Sequence, residues 1–145
     1  MLSRYIRHRH DDGKIEALRQ LPALAGLSHA ELVRLAALAE LIEVPAGTGL
    51  TREGEPAREA YLVVTGRLRA TLGELTVSWL EPGDFAGDVA LLDHQPRATG
   101  ITADTHAQVA VLTRAALQQL AHTSPWFADR LMGQLATRVR SGVPT

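Results

Sequence analysis

The sequence predicts an α+β fold: an antiparallel β-barrel or double-stranded jelly roll of about eight strands, flanked by N-terminal and C-terminal helices. Three observations carry this. Residues 41–111 are short apolar runs cut by Gly and Pro, at intervals of roughly 8–12 residues, the spacing of a sandwich or barrel. Ahead of them lies an apolar stripe at helical spacing, opened by a capping signal. Behind them a Ser-Pro pair starts another helical stripe.

Residues 1–12 read as a charged tail, with Arg4, Arg7, His8, Arg9 and His10 followed by Asp11 and Asp12. A solvated lead-in is favoured there over a nucleic-acid or partner contact. Residues 13–142 form the single domain. Ile15, Leu18, Leu21 and Leu24 recur at helical spacing up to a turn at Gly26. Ser28 and Glu31 then match the S-x-x-E capping box, in which side chain and backbone satisfy each other's donors at the start of a helix. Leu32, Leu35 and Leu38 give that helix its buried stripe.

From residue 41 the pieces LIEVPAG, GLTREG, AYLVVTG, RLRATLG, LTVSWLEPG, ATGITAD and QVAVL read as strands, with Gly47, Gly54, Gly66, Gly73 and Gly83 marking the turns between them. Leu62 and Val64 alternate with Val63 and Thr65, and Leu68 and Ala70 with Arg67 and Arg69, which predicts one wet and one buried face. ALQQLAHTS is a short helix. Ser124 caps the next, with Pro125 at its first position. Trp126, Leu131, Leu135 and Val139 are expected to face the barrel, and Gly142 and Pro144 to end the helix.

Composition narrows the function classes. The chain has 145 residues, 46% hydrophobic and 4% aromatic, so one globular domain with an aliphatic core is expected. The formal net charge is −1, without the basic surplus that draws a protein onto nucleic acid. No apolar run reaches membrane-spanning length, and the basic N-terminus has no apolar stretch behind it to make a signal peptide. A cytoplasmic location is expected. There are no cysteines, which excludes disulfides and thiolate metal sites. Six histidines lie scattered without ligand spacing, so no metal site is expected, and no nucleophile motif points to catalysis. Lys14 is the only lysine beside many arginines, a coding bias expected of a GC-rich bacterium.

The chemistry concentrates between Gly83 and Thr105, GDFAGDVALLDHQPRATGITADT. Gly87 permits backbone torsions closed to other residues and lets a ligand approach. Asp88 to Leu92 suffice for one helical turn, whose first N–H groups are free to bind an anion. Arg97 follows with no carboxylate close in sequence, and its fork matches two phosphate oxygens. Asp88 as a simple cap, and Arg97 as a surface residue or partner of an internal acid, stay open. Leu62, Leu75, Val77 and Leu91 read as core before pocket wall.

Residues 13–140 resemble the cyclic-nucleotide-binding domain of catabolite-activator-type regulators, protein kinase regulatory subunits and nucleotide-gated channels. The resemblance rests on Phe85-Ala86-Gly87-Asp88-Val89-Ala90-Leu91-Leu92, then Pro96-Arg97-Ala98-Thr99, with Gly47, Gly54, Gly66 and Gly83 at matching turns. It implies a phosphate-binding cassette: Arg97 on the cyclic phosphate, Asp88 in place of a glutamate that takes the ribose hydroxyl, Gly87 and the N–H groups of Asp88 and Val89 along the ribose-phosphate. Ala98 replaces a hydroxyl residue and leans toward cAMP over cGMP, and the Thr99 N–H reaches a phosphate oxygen.

The expected function is a non-enzymatic sensor with no cofactor, its ligand cAMP or cGMP. About twenty residues follow Ser124, too few for a helix-turn-helix. A module without nucleic-acid or membrane contact is therefore expected, which signals to an unknown protein partner and forms a possible homodimer. The alternative is the same fold kept as an interaction or structural domain without nucleotide.

Overall fold

In the computed structural model, residues 6–8, 11–87, 96–130 and 132–133 are described. Strand β1 (Ile6–His8) precedes helix α1 (Asp11–Arg19), a 3-10 turn (Pro22–Leu24) and helix α2 (His29–Leu38). Eight strands follow: β2 (Glu40–Val44), β3 (Gly49–Thr51), β4 (Glu59–Thr65), β5 (Leu68–Leu72), β6 (Leu75–Leu80), β7 (Phe85–Ala86), β8 (Gly100–Ala103) and β9 (Ala107–Thr113). Helix α3 (Arg114–Thr123) comes next, and residues 125–130 are helical again.

The strands form two antiparallel sheets, β1-β2-β9-β4-β7 and β3-β8-β5-β6. Of the two expected architectures, barrel and jelly roll, this is the layered one; the sheets do not close on each other. Part of the charged segment 1–12 has regular structure: Ile6, Arg7 and His8 pair with Glu43, Ile42 and Leu41 of β2, and α1 begins at Asp11. Edge pairing through backbone groups is indifferent to the side-chain charge that marked the segment as a tail.

Two cores result. Between the sheets lie Ile42, Val44, Tyr61, Val63, Leu68, Ala70, Ile101 and Val109. Between the five-stranded sheet and the helices lie Leu18, Leu32, Leu35, Leu62, Phe85, Leu112, Leu117 and Phe127. Strand β4 divides its side chains between them, Tyr61 and Val63 inward, Ala60, Leu62 and Val64 toward the helices. The wet face expected for it is therefore absent, because helices cover that side. On β5 the expected alternation holds, with Leu68 and Ala70 buried and Arg69 partly exposed.

The capping box at α2 is complete. Glu31 N–H donates to Ser28 Oγ at 3.1 Å, and Ser28 N–H donates to Glu31 Oε1 at 3.1 Å. Ser124 opens the last helix as expected, its Oγ accepting from Phe127 N–H at 3.2 Å. Phe127, rather than Trp126, is the fully buried aromatic of that helix; Trp126 is only partly buried. Leu131, Leu135 and Val139 lie outside the described residues. Among the described residues no helix is long and apolar enough to cross a membrane.

Candidate functional site

The site forms at the end of the sandwich where β7 stops and β8 begins. Gly87 follows β7, and Arg97 lies three residues before the start of β8. A turn at 52–55 fixes the Arg97 backbone from the other side. Arg97 N–H donates to Glu55 O at 2.8 Å, and Gly54 N–H donates to Arg97 O at 2.8 Å. Pro56 and Pro96 form an isolated bridge beside them. The residue cannot swing without breaking this two-way contact.

From that anchor the guanidinium runs inward, and Arg97 is only 6% exposed. Nη1 donates to the Gly87 carbonyl at 3.2 Å, and Nη2 donates to the carbonyl of Glu59, the first residue of β4. The Tyr61 ring lies 5.6 Å from Cζ, within range of a cation–π attraction. Carbonyls are neutral acceptors, and these two bonds orient the cation. A buried, oriented guanidinium is suited to an anion, because charge-assisted bonds strengthen where water is excluded.

Gly87 is the counterpart of that cation. Its φ of +77° lies in the left-handed region, which only glycine adopts freely. A Cβ built on it would fall onto Arg97 Nη1. The absence of a side chain at 87 thus makes room for the guanidinium.

Thr99, two residues past Arg97, is 2% exposed, while Ala98 between them is exposed. The structure brings Gly87 and Arg97 together, buries Thr99 and leaves Ala98 exposed. Asp88 and Val89 lie outside the described residues. So does Leu91.

Of the residues read as core before pocket wall, Leu62 and Val77 pack in the cores and Leu75 is exposed. Leu62 sits in the helix-side core, on the opposite face of β4 from Tyr61. Val77 packs against the inner core, partly buried. Leu68 and Ala70 face inward opposite Ala103 and Ile101 of β8, and Leu72 continues that face. Leu75 pairs directly with Leu72 across the hairpin, and cross-strand partners share a face. The two are 40% and 66% exposed and stand beside the start of β8, where Thr71 pairs with Gly100. Glu53 Oε1 accepts from Gly73 N–H at 2.5 Å, tying this hairpin tip to the turn that anchors Arg97.

Sequence reasoning missed Tyr61, the Glu59 carbonyl and the 52–55 turn. Tyr61 had a signal, an unbroken apolar run AYLVV that marks a strand buried on both faces. The other two contribute backbone groups and carry no side-chain signature. Among the described residues no cluster of three or more His, Asp or Glu is placed to hold a metal ion.

A family model described as the cyclic nucleotide-binding domain matches residues 41–124. A cAMP-dependent protein kinase regulatory subunit from Colletotrichum orbiculare is 36% identical over 105 residues, 71% of this chain and 27% of that protein. The chain spans about a quarter of the length of the curated relatives it matches. The crystal structure of the Thermus thermophilus catabolite activator protein superposes with a TM-score of 0.73 at 27% identity, covering 83% of this chain and 59% of that one. The regulatory subunit of a cAMP-independent protein kinase A from Trypanosoma brucei reaches 0.74 at 24% identity, covering 86% of this chain and 45% of that one, a likeness of fold alone.

Proposed function

The chain belongs to the cyclic nucleotide-binding domain family, and on that premise we propose that it is a sensor module which binds a cyclic nucleotide, cAMP in preference to cGMP. The domain is a binding module and not an enzyme. The cyclic phosphate lies against the Arg97 guanidinium and the Thr99 N–H, with Gly87 and the N–H groups of Asp88 and Val89 along the ribose-phosphate and Asp88 receiving the ribose hydroxyl. Leu72, Leu75 and Val77 offer apolar surface to the base. Ala98 supplies no hydroxyl, which removes a contact that would favour guanine.

One observation carries this reading. Arg97 is a buried cation held by the Gly87 and Glu59 carbonyls and aimed at a glycine that has no side chain to obstruct it. The module acts in the cytoplasm and passes its signal to a protein partner through the helix after Ser124.

Calorimetry with cAMP and cGMP on the wild-type protein and on Arg97→Ala tests the proposal. The expected result is heat for cAMP, with affinity reduced in the variant by about 2–4 kcal/mol, roughly 30- to 900-fold. No heat for either nucleotide up to millimolar concentration overturns it and leaves the interaction-domain alternative standing.

A further inference from the structure

The two sheets have four edge strands, β1, β7, β3 and β6. Three are short: β1 and β3 have three residues each and β7 has two. The fourth, β6, has six, and among the described residues no strand pairs with its outer side. Short length, charges and prolines are the usual protection of an edge, whose N–H and C=O groups otherwise pair with another chain. Leu75, Thr76, Val77, Ser78, Trp79 and Leu80 include no charge and no proline, and Trp79 stands half exposed on this edge.

A bulge is another common protection, and β6 carries one. Its register with β5 pairs Ser78 with Ala70 and then Thr76 with Thr71, so Val77 is the extra residue. The bulge has a second consequence. Cross-strand partners share a face. Leu80 opposite Leu68, Ser78 opposite Ala70 and Leu75 opposite Leu72 take the inner face, and Val77 also packs on the inner core. Trp79 opposite Arg69 and Thr76 opposite Thr71 take the outer face. From Leu75 to Leu80 the order is inner, outer, inner, inner, outer, inner, the same from either end. A regular strand of this length alternates strictly and so begins and ends on opposite faces.

A two-fold interface must be self-complementary, and this order supplies it. With the axis perpendicular to the sheet, between Val77 and Ser78, two antiparallel β6 strands place Leu75 opposite Leu80, Thr76 opposite Trp79 and Val77 opposite Ser78 of the other copy, each pair on one face. We propose that β6 is a homodimer edge, at which two copies of this chain join their four-stranded sheets into one continuous sheet. Trp79 is ordered in advance for this contact: the Arg67 guanidinium lies 4.2 Å from its ring centroid and itself donates to Asp104 Oδ2 at 2.6 Å. Glu74 and Glu81 flank the strand and come opposite each other at both ends of the pair, a repulsion that opposes association. The dimer is therefore expected to be weak, in the micromolar range or above, as suits so small an interface. The proposal does not depend on the nucleotide reading.

Sedimentation velocity of the full chain, from micromolar to millimolar concentration, measures the association. Thr76→Lys adds the residue that natural edges use for protection and sets it against Arg67 over Trp79 of the other copy. It is expected to weaken the dimer at least tenfold while the melting temperature stays within the range of surface substitutions. A wild type that remains monomeric throughout, or a dimer that Thr76→Lys leaves intact, overturns the proposal.

Disulfide formation reads the register. The chain has no cysteine, so introduced thiols can react only with each other or with the oxidant. A mixture of Thr76→Cys and Trp79→Cys, with oxidised glutathione as the oxidant, is expected to cross-link at least tenfold faster than either variant alone. In the proposed pair positions 76 and 79 of two copies are opposite, while like positions are offset by three residues, about 10 Å along the strand, too far for a disulfide. Equal rates in the mixture and in the single variants overturn the β6 pairing.

Discussion

Arg97 and Gly87, ten residues apart in the chain, meet with the guanidinium Nη1 donating to the glycine carbonyl at 3.2 Å. The contact depends on what Gly87 lacks. A methyl group there would lie on Nη1, and the φ of +77° would add strain. Gly87→Ala is therefore expected to displace the guanidinium from its place between Gly87 and Glu59. Stability should fall by about 1–2 kcal/mol and cAMP affinity by tenfold or more. Thermal melts and calorimetry on the same preparation check both. A variant that binds as the wild type does would show that Arg97 reaches the ligand from another position.

A second prediction concerns the joint between α2 and the last helix. Ser124 is buried, and its hydroxyl donates to Glu31 Oε2. The Ser124 hydroxyl and the Ser28 N–H, both donating to the carboxylate, hold the Glu31 pKa below its ordinary value. A depressed folded-state pKa gives stability that is present above the unfolded value, near 4.5, and lost as pH falls through the folded value. Wild type is expected to exceed Glu31→Gln in stability by about 0.5–1 kcal/mol at neutral pH, the scale of a helix cap. The gap should close in acid, below about pH 4.5. Denaturant titrations between pH 7 and 3 measure it; a gap that widens in acid contradicts the assignment.

What the sequence made legible, and what it did not, follows from where each kind of information resides. The capping box was legible because Ser28 and Glu31 satisfy each other within one helical turn. Strands β2 to β6, β8 and β9 were legible because turn residues punctuate the run, and Gly47, Gly54, Gly66, Gly73 and Gly83 all have positive φ; the two-residue β7 was not, because Phe85 and Ala86 are too short a run to read as a strand. Arg97 stood out as a cation between turn signals. The covering of β4 by helices was not legible, since alternation in one strand does not reveal what packs on its second face. Strand β1 was hidden by its charge, as edge pairing uses the backbone. Phe127 was passed over for Trp126 because neighbours on a helix differ by about 100° in direction, and only packing decides which one faces the core.

Phe127 gives the third prediction. Its ring is 1% exposed and lies against Phe85, at the point where the last helix crosses onto the sheet. Phe127→Ala is expected to cost about 3–5 kcal/mol, the range for removing a buried aromatic. Trp126→Ala should cost less, since Trp126 is only partly buried. Denaturant unfolding of the two variants ranks them, and the opposite order would place the helix in a different rotation.

Leu75 separates binding from stability. It is 66% exposed on the last turn of a hairpin, opposite Leu72, on the face that continues inward as Ala70 and Leu68. A residue this exposed contributes little to the folded state, so Leu75→Ser should leave the melting temperature within the small range of surface substitutions. Its apolar surface matters only when something covers it. If the base of the nucleotide does so, burying that side chain contributes on the order of 1 kcal/mol, and Leu75→Ser is expected to weaken cAMP about fivefold. Ribose cyclic phosphate, which has no base, serves as the control: its affinity should not respond to the substitution but should still require Arg97. Equal weakening of both ligands would mean that Leu75 shapes the phosphate end of the site, and no weakening of either would remove the β5–β6 hairpin from the binding surface.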